Sequence, residues 1–198
     1  MSTDSKEPLY YAKRELRMAE KAIERMTRTE SLEDFEDEWK IYLNSIEKVW
    51  IKAERACQHV RNRFEPWQGT FTSERKKDAL LKYLKHARNA DQHSVAETME
   101  KQAASSSMYI EGGAGVTHID RLVINNGQIQ EYKGNKPLII ENLPERLELL
   151  KVKDRNKWYN PPKSHKNIKL AWSSPIDVAN LGLKYYRDFL KKAEEKFF

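Results

Sequence analysis

The sequence predicts a mainly α-helical protein, an antiparallel helical bundle that carries a small antiparallel β insertion. Apolar residues recur at helical spacing in two long stretches before residue 64 and again over 74–103, with charged residues between them. A run of strand-forming residues interrupts this pattern, and we expect it to form the insertion at 106–142. Ser174 is placed to cap a new helix and Pro175 stands at its first position, which predicts a C-terminal helix at 174–198 that closes the bundle. We expect residues 1–198 to form a single domain, since this length suffices for one full hydrophobic core.

The helix boundaries follow from caps and breakers. Residues 32–63 carry a broad apolar stripe, and Ser31 is placed to cap this helix. Glu65–Gly69 contains both Pro and Gly, so we predict a loop there. The third helix would then take its cap from Thr72 or Ser73.

The β insertion is indicated by strand-forming runs around one turn. Val116–Ile124 and Gln128–Tyr132 flank an Asn-Asn-Gly turn that ends at Gly127, and Pro137–Ile140 follows as a third strand. An Asn-Gly pair between two such runs is a strong hairpin signal. Residues 111–115 are glycine-rich but lack the Lys-Ser/Thr of a phosphate-binding loop, so we interpret them as a flexible turn.

Residues 143–172 have an ambiguous pattern. Arg146–Val152 fits a strand or a short helix, and Asn160–Ser164 fits extended chain or a turn. Basic and aromatic residues are mixed here as they are in surfaces that grip a phosphate backbone and stack a base. The predicted nucleic-acid-binding residues are Lys151, Lys153, Arg155, Lys157, Trp158, Lys163 and Lys166. A solvated loop with its aromatic residues tucked onto the core is the alternative.

Composition narrows the functional classes. The net charge is +6, and the basic excess lies in the second half of the chain, which suits an anionic partner but is also common in proteins that bind none. No apolar run is long enough to cross a membrane and no signal peptide is recognisable, so we expect a cytoplasmic protein without a membrane partner. The single Cys57 forms no internal disulfide, and the five His residues show no metal-binding spacing. We therefore expect neither a metal nor a cofactor.

One motif suggests chemistry. Arg88 and Asn89 are followed after three residues by His93, within the third predicted helix. At this point the chain resembles the HEPN superfamily, whose nucleases carry an Arg-x(4 to 6)-His motif on a late helix of a bundle. The resemblance implies a metal-independent endoribonuclease of the toxin or defence type, with an antitoxin or regulatory protein as its partner. His93 would transfer a proton at the ribose or the departing oxygen, Arg88 would stabilise the charge on the phosphate, and Asn89 would position it.

Helical geometry separates these residues. Arg88 and His93 are five positions apart and so lie roughly 140° apart around a straight helix, whereas Asn89 and His93 share a face with His86. In HEPN nucleases the site combines motif residues of two protomers, so the resemblance implies a homodimer that binds RNA. Two alternatives stay open: a non-catalytic binding or scaffold protein in which Arg88 pairs with a carboxylate such as Asp91, and an RNA-binding module without cleavage.

Overall fold

The computed structural model describes residues 7–93, 98–112, 115–170 and 174–198, and the side chains of residues 92–93 lie outside the described set. The chain forms two compact units. The helical unit comprises the described parts of Met1–Lys101 together with Leu147–Phe198, and the β unit comprises Gln102–Arg146.

Five helices form within the helical unit. They are α1 (Tyr10–Met26), α2 (Leu32–Ala56), α3 (Arg61–Lys77), α4 (Ala79–His93) and α5 (Pro175–Phe197), with a 3-10 turn at Gln58–Val60 between α2 and α3. Two of the predicted caps, Ser31 and Ser174, are confirmed. Ser31 Oγ accepts a hydrogen bond from the Asp34 backbone N–H at 3.3 Å, and Ser174 Oγ accepts one from that of Asp177 at 3.5 Å. Both hydroxyls satisfy an N–H that the helix itself leaves without a partner.

The predicted loop at Glu65–Gly69 is wrong, because α3 runs through it and includes Pro66. Aromatic packing outweighs the cost of Pro and Gly: Trp67 stacks on Phe189 of α5 with ring centroids 5.5 Å apart, and Phe64 is 1% exposed. The chain breaks at Asp78 instead, whose Oδ1 accepts a hydrogen bond from the Leu81 backbone N–H at 3.0 Å. The predicted cap at Thr72 or Ser73 is therefore also wrong.

The core of the helical unit is built on α2 and α5. Trp39, Tyr42 and Phe189 are fully buried. The Tyr42 hydroxyl donates to the Ala179 carbonyl at 2.9 Å, and Gly182 stands where a Cβ would lie 2.3 Å from that hydroxyl oxygen. Burial raises the pKa of Tyr42 well above its ordinary value, so the phenol stays neutral and keeps its proton for this bond.

Ten short strands occur in the described chain, and they correct the predicted fold class. In chain order they are β1 (Met99–Gln102), β2 (Ser105–Ile110), β3 (Ile119–Asn125), β4 (Gln128–Gly134), β5 (Leu138–Leu143), β6 (Arg146–Leu149), β7 (Val152–Asp154), β8 (Lys157–Tyr159), β9 (Ser164–His165) and β10 (Ile168–Lys169). They pair as five two-stranded sheets: β1–β6, β2–β5, β3–β4, β7–β8 and β9–β10. The mainly α prediction is wrong, because the fold is mixed α/β, with 54% helix beside these strands.

The fold-class prediction is wrong in two places, one before and one after the expected insertion at 106–142. Met99–Gln102 was predicted as the end of a helix over 74–103 but forms β1. Beyond residue 149 four further short strands were not recognised, since each is only two or three residues long and carries little periodicity. Within Arg146–Val152 the chain forms strand β6, so the strand interpretation is correct and the short helix is not formed.

Within the β unit, the hairpin prediction is confirmed. Strands β3 and β4 are joined by Asn126 and Gly127, whose φ angles of 49° and 76° are those of a tight hairpin turn. Strand β5 pairs antiparallel with β2, from Ser105↔Leu143 to Ile110↔Leu138, and not with the hairpin as a third strand. The predicted flexible turn at 111–115 lies partly outside the described residues.

Candidate functional site

Helix α4 presents a row of polar side chains beside its buried face. Its buried residues are Leu80, Leu81, Tyr83, Leu84, Ala87 and Ala90. These positions recur at helical spacing, so His86, Arg88 and Asn89 fall at the edge of the stripe and are half-buried. The site is thus the margin of a core helix, where polar groups need partners from neighbouring elements.

Asp154 of β7 supplies the main partner. Its Oδ2 accepts hydrogen bonds from His86 Nδ1 at 2.7 Å and from Asn89 Nδ2 at 3.0 Å, and the residue is 6% exposed. Burial alone would raise the pKa of this carboxyl, but the bonds from Asn89 and His86, with the charges of His86 and Arg155, hold the pKa below its ordinary value. Asp154 is therefore a carboxylate that fixes two α4 side chains.

Tyr159 of β8 covers the His86 ring. The two rings stack with centroids 3.6 Å apart and planes 12° from parallel. Because a carboxylate only accepts hydrogen bonds, His86 Nδ1 carries the proton of the bond to Asp154. Nε2 is then the ring nitrogen that does not take part in this bond. The His86 side chain is 21% exposed. Asp154 and His86 have the arrangement by which a carboxylate orients an imidazole for proton transfer.

Arg88 and Asn89, two of the three predicted catalytic residues, are brought together. Arg88 donates through one terminal nitrogen to Asn89 Oδ1 at 3.4 Å and through Nε to Asn44 Oδ1 of α2, also at 3.4 Å. In the described chain Arg88 thus bonds to two amides, and the pair with Asp91, named as an example in the non-catalytic alternative, does not occur there. The third residue, His93, is the last described residue of α4, and its side chain lies outside the described residues.

One hydrogen-bonded line consequently connects α2, α4 and β7. It joins the side chains of Asn44, Arg88, Asn89, Asp154 and His86. Sequence reasoning did not find Asp154, which lies 65 residues beyond Asn89. The only signal was the spacing of His86 and Asn89, three apart on one helix face. Nothing local pointed to a carboxylate in a later hairpin.

The β7–β8 hairpin has two different faces. Val152 and Asp154 point toward α4 and are buried, while Lys153 and Trp158, which are paired in register, point outward. The Trp158 residue is 54% exposed, and the Lys151 and Lys153 Nζ atoms lie 4.9 and 6.0 Å from its ring centroid. We call this surface the Trp158 face. It comprises Lys151, Lys153, Arg155 and Trp158, all of them exposed. Lys157 is exposed too, but it pairs in register with Asp154 and its Nζ lies 6.0 Å from the Tyr159 ring centroid, so it belongs to the other side of the hairpin.

Lys163 and Lys166, the other two predicted nucleic-acid-binding residues, belong to the next hairpin. This hairpin is also held on α4, because His165 Nδ1 lies 3.0 Å from Asp78 Oδ1 and the Lys166 backbone N–H donates to Asp78 Oδ2 at 2.7 Å. Lys163 and Lys166 are exposed, and the Lys166 Nζ lies 5.4 Å from the Tyr185 ring centroid. The structure therefore places five of the seven predicted residues on one hairpin and two on its neighbour.

Asp78 is the counterpart of Asp154 at the start of α4. Burial would raise its pKa, but the backbone N–H groups of Leu81 and Lys166 and the His165 ring hold the pKa below the ordinary value. Each hairpin is thus fixed to α4 by one ionised carboxylate and one histidine.

Among the described residues, no group of three or more His, Cys, Asp or Glu side chains is arranged to hold a metal ion. None of the helices in that part of the chain is long and apolar enough to cross a bilayer. Comparisons with protein-family models, curated proteins and solved structures found no match to the chain. The resemblance to the HEPN superfamily accordingly stays a prediction based on Arg88, Asn89 and His93.

Proposed function

We propose that this protein binds single-stranded RNA through the Trp158 face. The observation that carries the proposal is the exposed Trp158 ring with lysines at 4.9 and 6.0 Å. An aromatic ring in water is free to stack on an unpaired base, and neighbouring cations neutralise the phosphates on either side of it. Stacking requires a base outside a duplex, which favours a single strand over a double helix.

Two features support binding over a merely solvated loop. The inner face of the hairpin is fixed on α4 through Asp154 and Tyr159, so the outer face is held in place before a ligand arrives. In addition, Lys151 and Lys153 form no ion pair within the described chain, and their charges are available to phosphates. The predicted alternative, in which the aromatic residues of this segment cover the core, fits Tyr159 but not Trp158.

The proposal is tested by fluorescence anisotropy of a labelled oligouridine over a range of salt concentrations. Trp158→Ala is expected to weaken binding roughly 5- to 150-fold, which corresponds to about 1–3 kcal/mol for one stacked base. Lys153→Gln is expected to lower the slope of log K against log salt by about 1. Tyr109→Ala is the matched control, since Tyr109 is an exposed strand residue of the β unit, 49% accessible.

Absence of saturable binding by the unmodified protein at low salt would contradict the proposal. Equal affinities of Trp158→Ala and Tyr109→Ala would contradict it as well, because a general electrostatic attraction does not depend on one ring.

Metal-independent RNA cleavage is a second candidate function. It is favoured by the contact of the Arg88 guanidinium with Asn89, which in turn shares Asp154 with His86. A guanidinium and an amide that meet in this way are suited to hold a phosphate, with His93 as the proton-transferring group. Because helical geometry separates Arg88 from His93, this function is proposed for a homodimer in which a second copy completes the site.

Cleavage is tested with labelled RNA in the presence of EDTA. The candidate predicts cleavage that His93→Ala abolishes while the circular dichroism spectrum is unchanged, and a dimer at micromolar concentration. RNA that is bound but left intact, equal cleavage by the variant, or a monomer with full activity would contradict it. An antitoxin or regulatory partner is proposed only together with this activity.

A further inference from the structure

The second feature that suits an RNA ligand is a basic pocket between α1 and α2, which we call the α1–α2 pocket. It encloses about 550 Å³ and is bordered by four cations: Arg14, Lys40, Lys48 and Lys52. One carboxylate, Glu15, lies among its lining residues. The lining therefore has a net positive charge and attracts an anion.

The four cations are not equally engaged. Lys52 forms an ion pair with Glu15 at 2.5 Å, and Lys40 lies 3.4 Å from Asp37. Arg14 and Lys48 are exposed and have no ion pair within the described chain. These two charges are available to a phosphate, and both lie on well-formed helices that hold them at the pocket.

The pocket also has apolar walls. Met18 of α1 is 40% exposed and Ile41 of α2 is 37% exposed, and both line it. A bare inorganic anion would make no use of such surfaces. A nucleotide would, because its base is a flat ring that packs on Met and Ile side chains while its phosphate lies beside cations.

The pocket is connected to the hairpin through the hydrogen-bonded line described above. Asn44 lines the pocket, and its side-chain amide donates to the Lys40 carbonyl at 3.0 Å and accepts from Arg88 Nε at 3.4 Å. From Arg88 the line continues through Asn89 to Asp154 of the hairpin that carries Trp158. Three side-chain hydrogen bonds thus join the wall of the pocket to the β7–β8 hairpin.

We propose that the α1–α2 pocket is a second RNA subsite, which holds one nucleotide of the strand that stacks on Trp158. The inference rests on the proposed RNA binding. It assigns Lys48 and Arg14 to the phosphate, Met18 and Ile41 to the base, and Asn44 to keeping the wall fixed. The two subsites together would engage more of the strand than either alone, which raises affinity without any change in the hairpin.

The test combines photocrosslinking with charge reversal. Oligouridine that contains 4-thiouridine is crosslinked to the protein, and the modified peptides are identified by mass spectrometry. We expect crosslinks both in the β7–β8 hairpin and in the peptides that contain Met18 or Ile41. Lys48→Glu and Arg14→Glu are each expected to weaken oligouridine binding roughly tenfold, because a lost phosphate contact is joined by repulsion. Lys196→Glu, an exposed reversal on α5, is the matched control and is expected to cost clearly less.

Three results would overturn the subsite. Crosslinks confined to the hairpin would do so, as would equal affinities of Lys48→Glu, Arg14→Glu and Lys196→Glu while Trp158→Ala still weakens binding; in either case the hairpin proposal stands. Uridine monophosphate that binds as tightly as the oligomer, with the same dependence on Lys48, would show a site for free nucleotides instead. If the unmodified protein binds no RNA at all, the failure lies in the proposed function itself.

Discussion

The β3–β4 and β7–β8 hairpins are alike in their turns and unlike in what their strands touch. Each is closed by two residues with positive φ, Asn126 and Gly127 in the first and Arg155 and Asn156 in the second. In β3 six of the seven residues are exposed, and none of the residues of β4 is buried. In β7, by contrast, Val152 and Asp154 are 4% and 6% exposed.

This difference teaches that turn chemistry creates a hairpin, whereas packing gives it a fixed orientation. A two-stranded hairpin alone is marginally stable in water. The second hairpin is anchored on α4 by Asp154 and by the stack of Tyr159 on His86. Its outward residues are therefore held in a fixed position. The following predictions test whether the contacts with α4 hold the β7–β8 hairpin in place.

Removal of the anchoring carboxylate should have the largest effect. Asp154→Ala leaves the half-buried His86 and Asn89 without their shared acceptor, which we expect to lower the free energy of unfolding by about 2–3 kcal/mol. Urea unfolding followed by circular dichroism measures the loss. Hydrogen exchange of the β7 and β8 amides should accelerate in the same variant.

The matched control is Asp120→Ala in β3. The Asp120 side chain is 48% exposed and pairs with His118 at 3.0 Å, so its removal should cost less than about 1 kcal/mol. Equal losses for the two alanine variants, or unchanged exchange of β7 and β8 in Asp154→Ala, would show that the hairpin is not anchored through this carboxylate.

Lowering the pH should remove part of the stabilisation that the Asp154 carboxylate provides, with a smaller effect than the Asp154→Ala substitution. The folded-state pKa of Asp154 lies below the ordinary value of 3.8, so its contribution is present above pH 3.8 and is lost as pH falls through the folded pKa. The stability difference between the unmodified protein and Asp154→Asn should therefore shrink as the pH falls below 3.8. A difference that grows on acidification would contradict the lowered pKa.

The turns themselves should give the smallest effects. Gly127→Ala places a Cβ on a residue with φ of 76° and should destabilise the β3–β4 hairpin by about 1 kcal/mol. Asn156→Gly, at φ 62°, should change stability by less than about 0.5 kcal/mol, because Gly adopts this conformation readily. Hydrogen exchange of each hairpin is the measurement. A larger effect from Asn156→Gly than from Gly127→Ala would mean that Asn156 has a role beyond the turn.

The sequence predicted those features that depend on residues close together in the chain. Ser31, Ser174 and the Asn-Gly turn each place a boundary through contacts a few residues away, and all three were read correctly. The α3 helix was missed because its formation through Pro66 depends on aromatic packing against α5, far along the chain. The β7–β8 turn was missed because Arg155–Asn156 is a weaker hairpin signal than Asn-Gly.

The candidate site divides in the same way. The contact of Arg88 with Asn89 joins neighbours in the sequence, and the basic and aromatic residues of the Trp158 face cluster within eight positions. Alternate residues of β7 and β8 lie on the face that packs on α4 and on the exposed face. Assigning each residue to one of these faces requires the strand register, which only the structure shows. Asn44 and Asp154 could not be predicted, since only the folded chain brings these side chains to the α4 motif.

The central claim, that Trp158 stacks on RNA, is tested most directly by fluorine NMR. Protein labelled with 5-fluorotryptophan is titrated with oligouridine, and the Trp158 resonance is assigned from the Trp158→Phe variant. Trp39 is fully buried and serves as the internal reference. The account predicts a saturable shift of the Trp158 resonance and an unchanged Trp39 resonance. RNA binding that leaves the Trp158 resonance in place would contradict it.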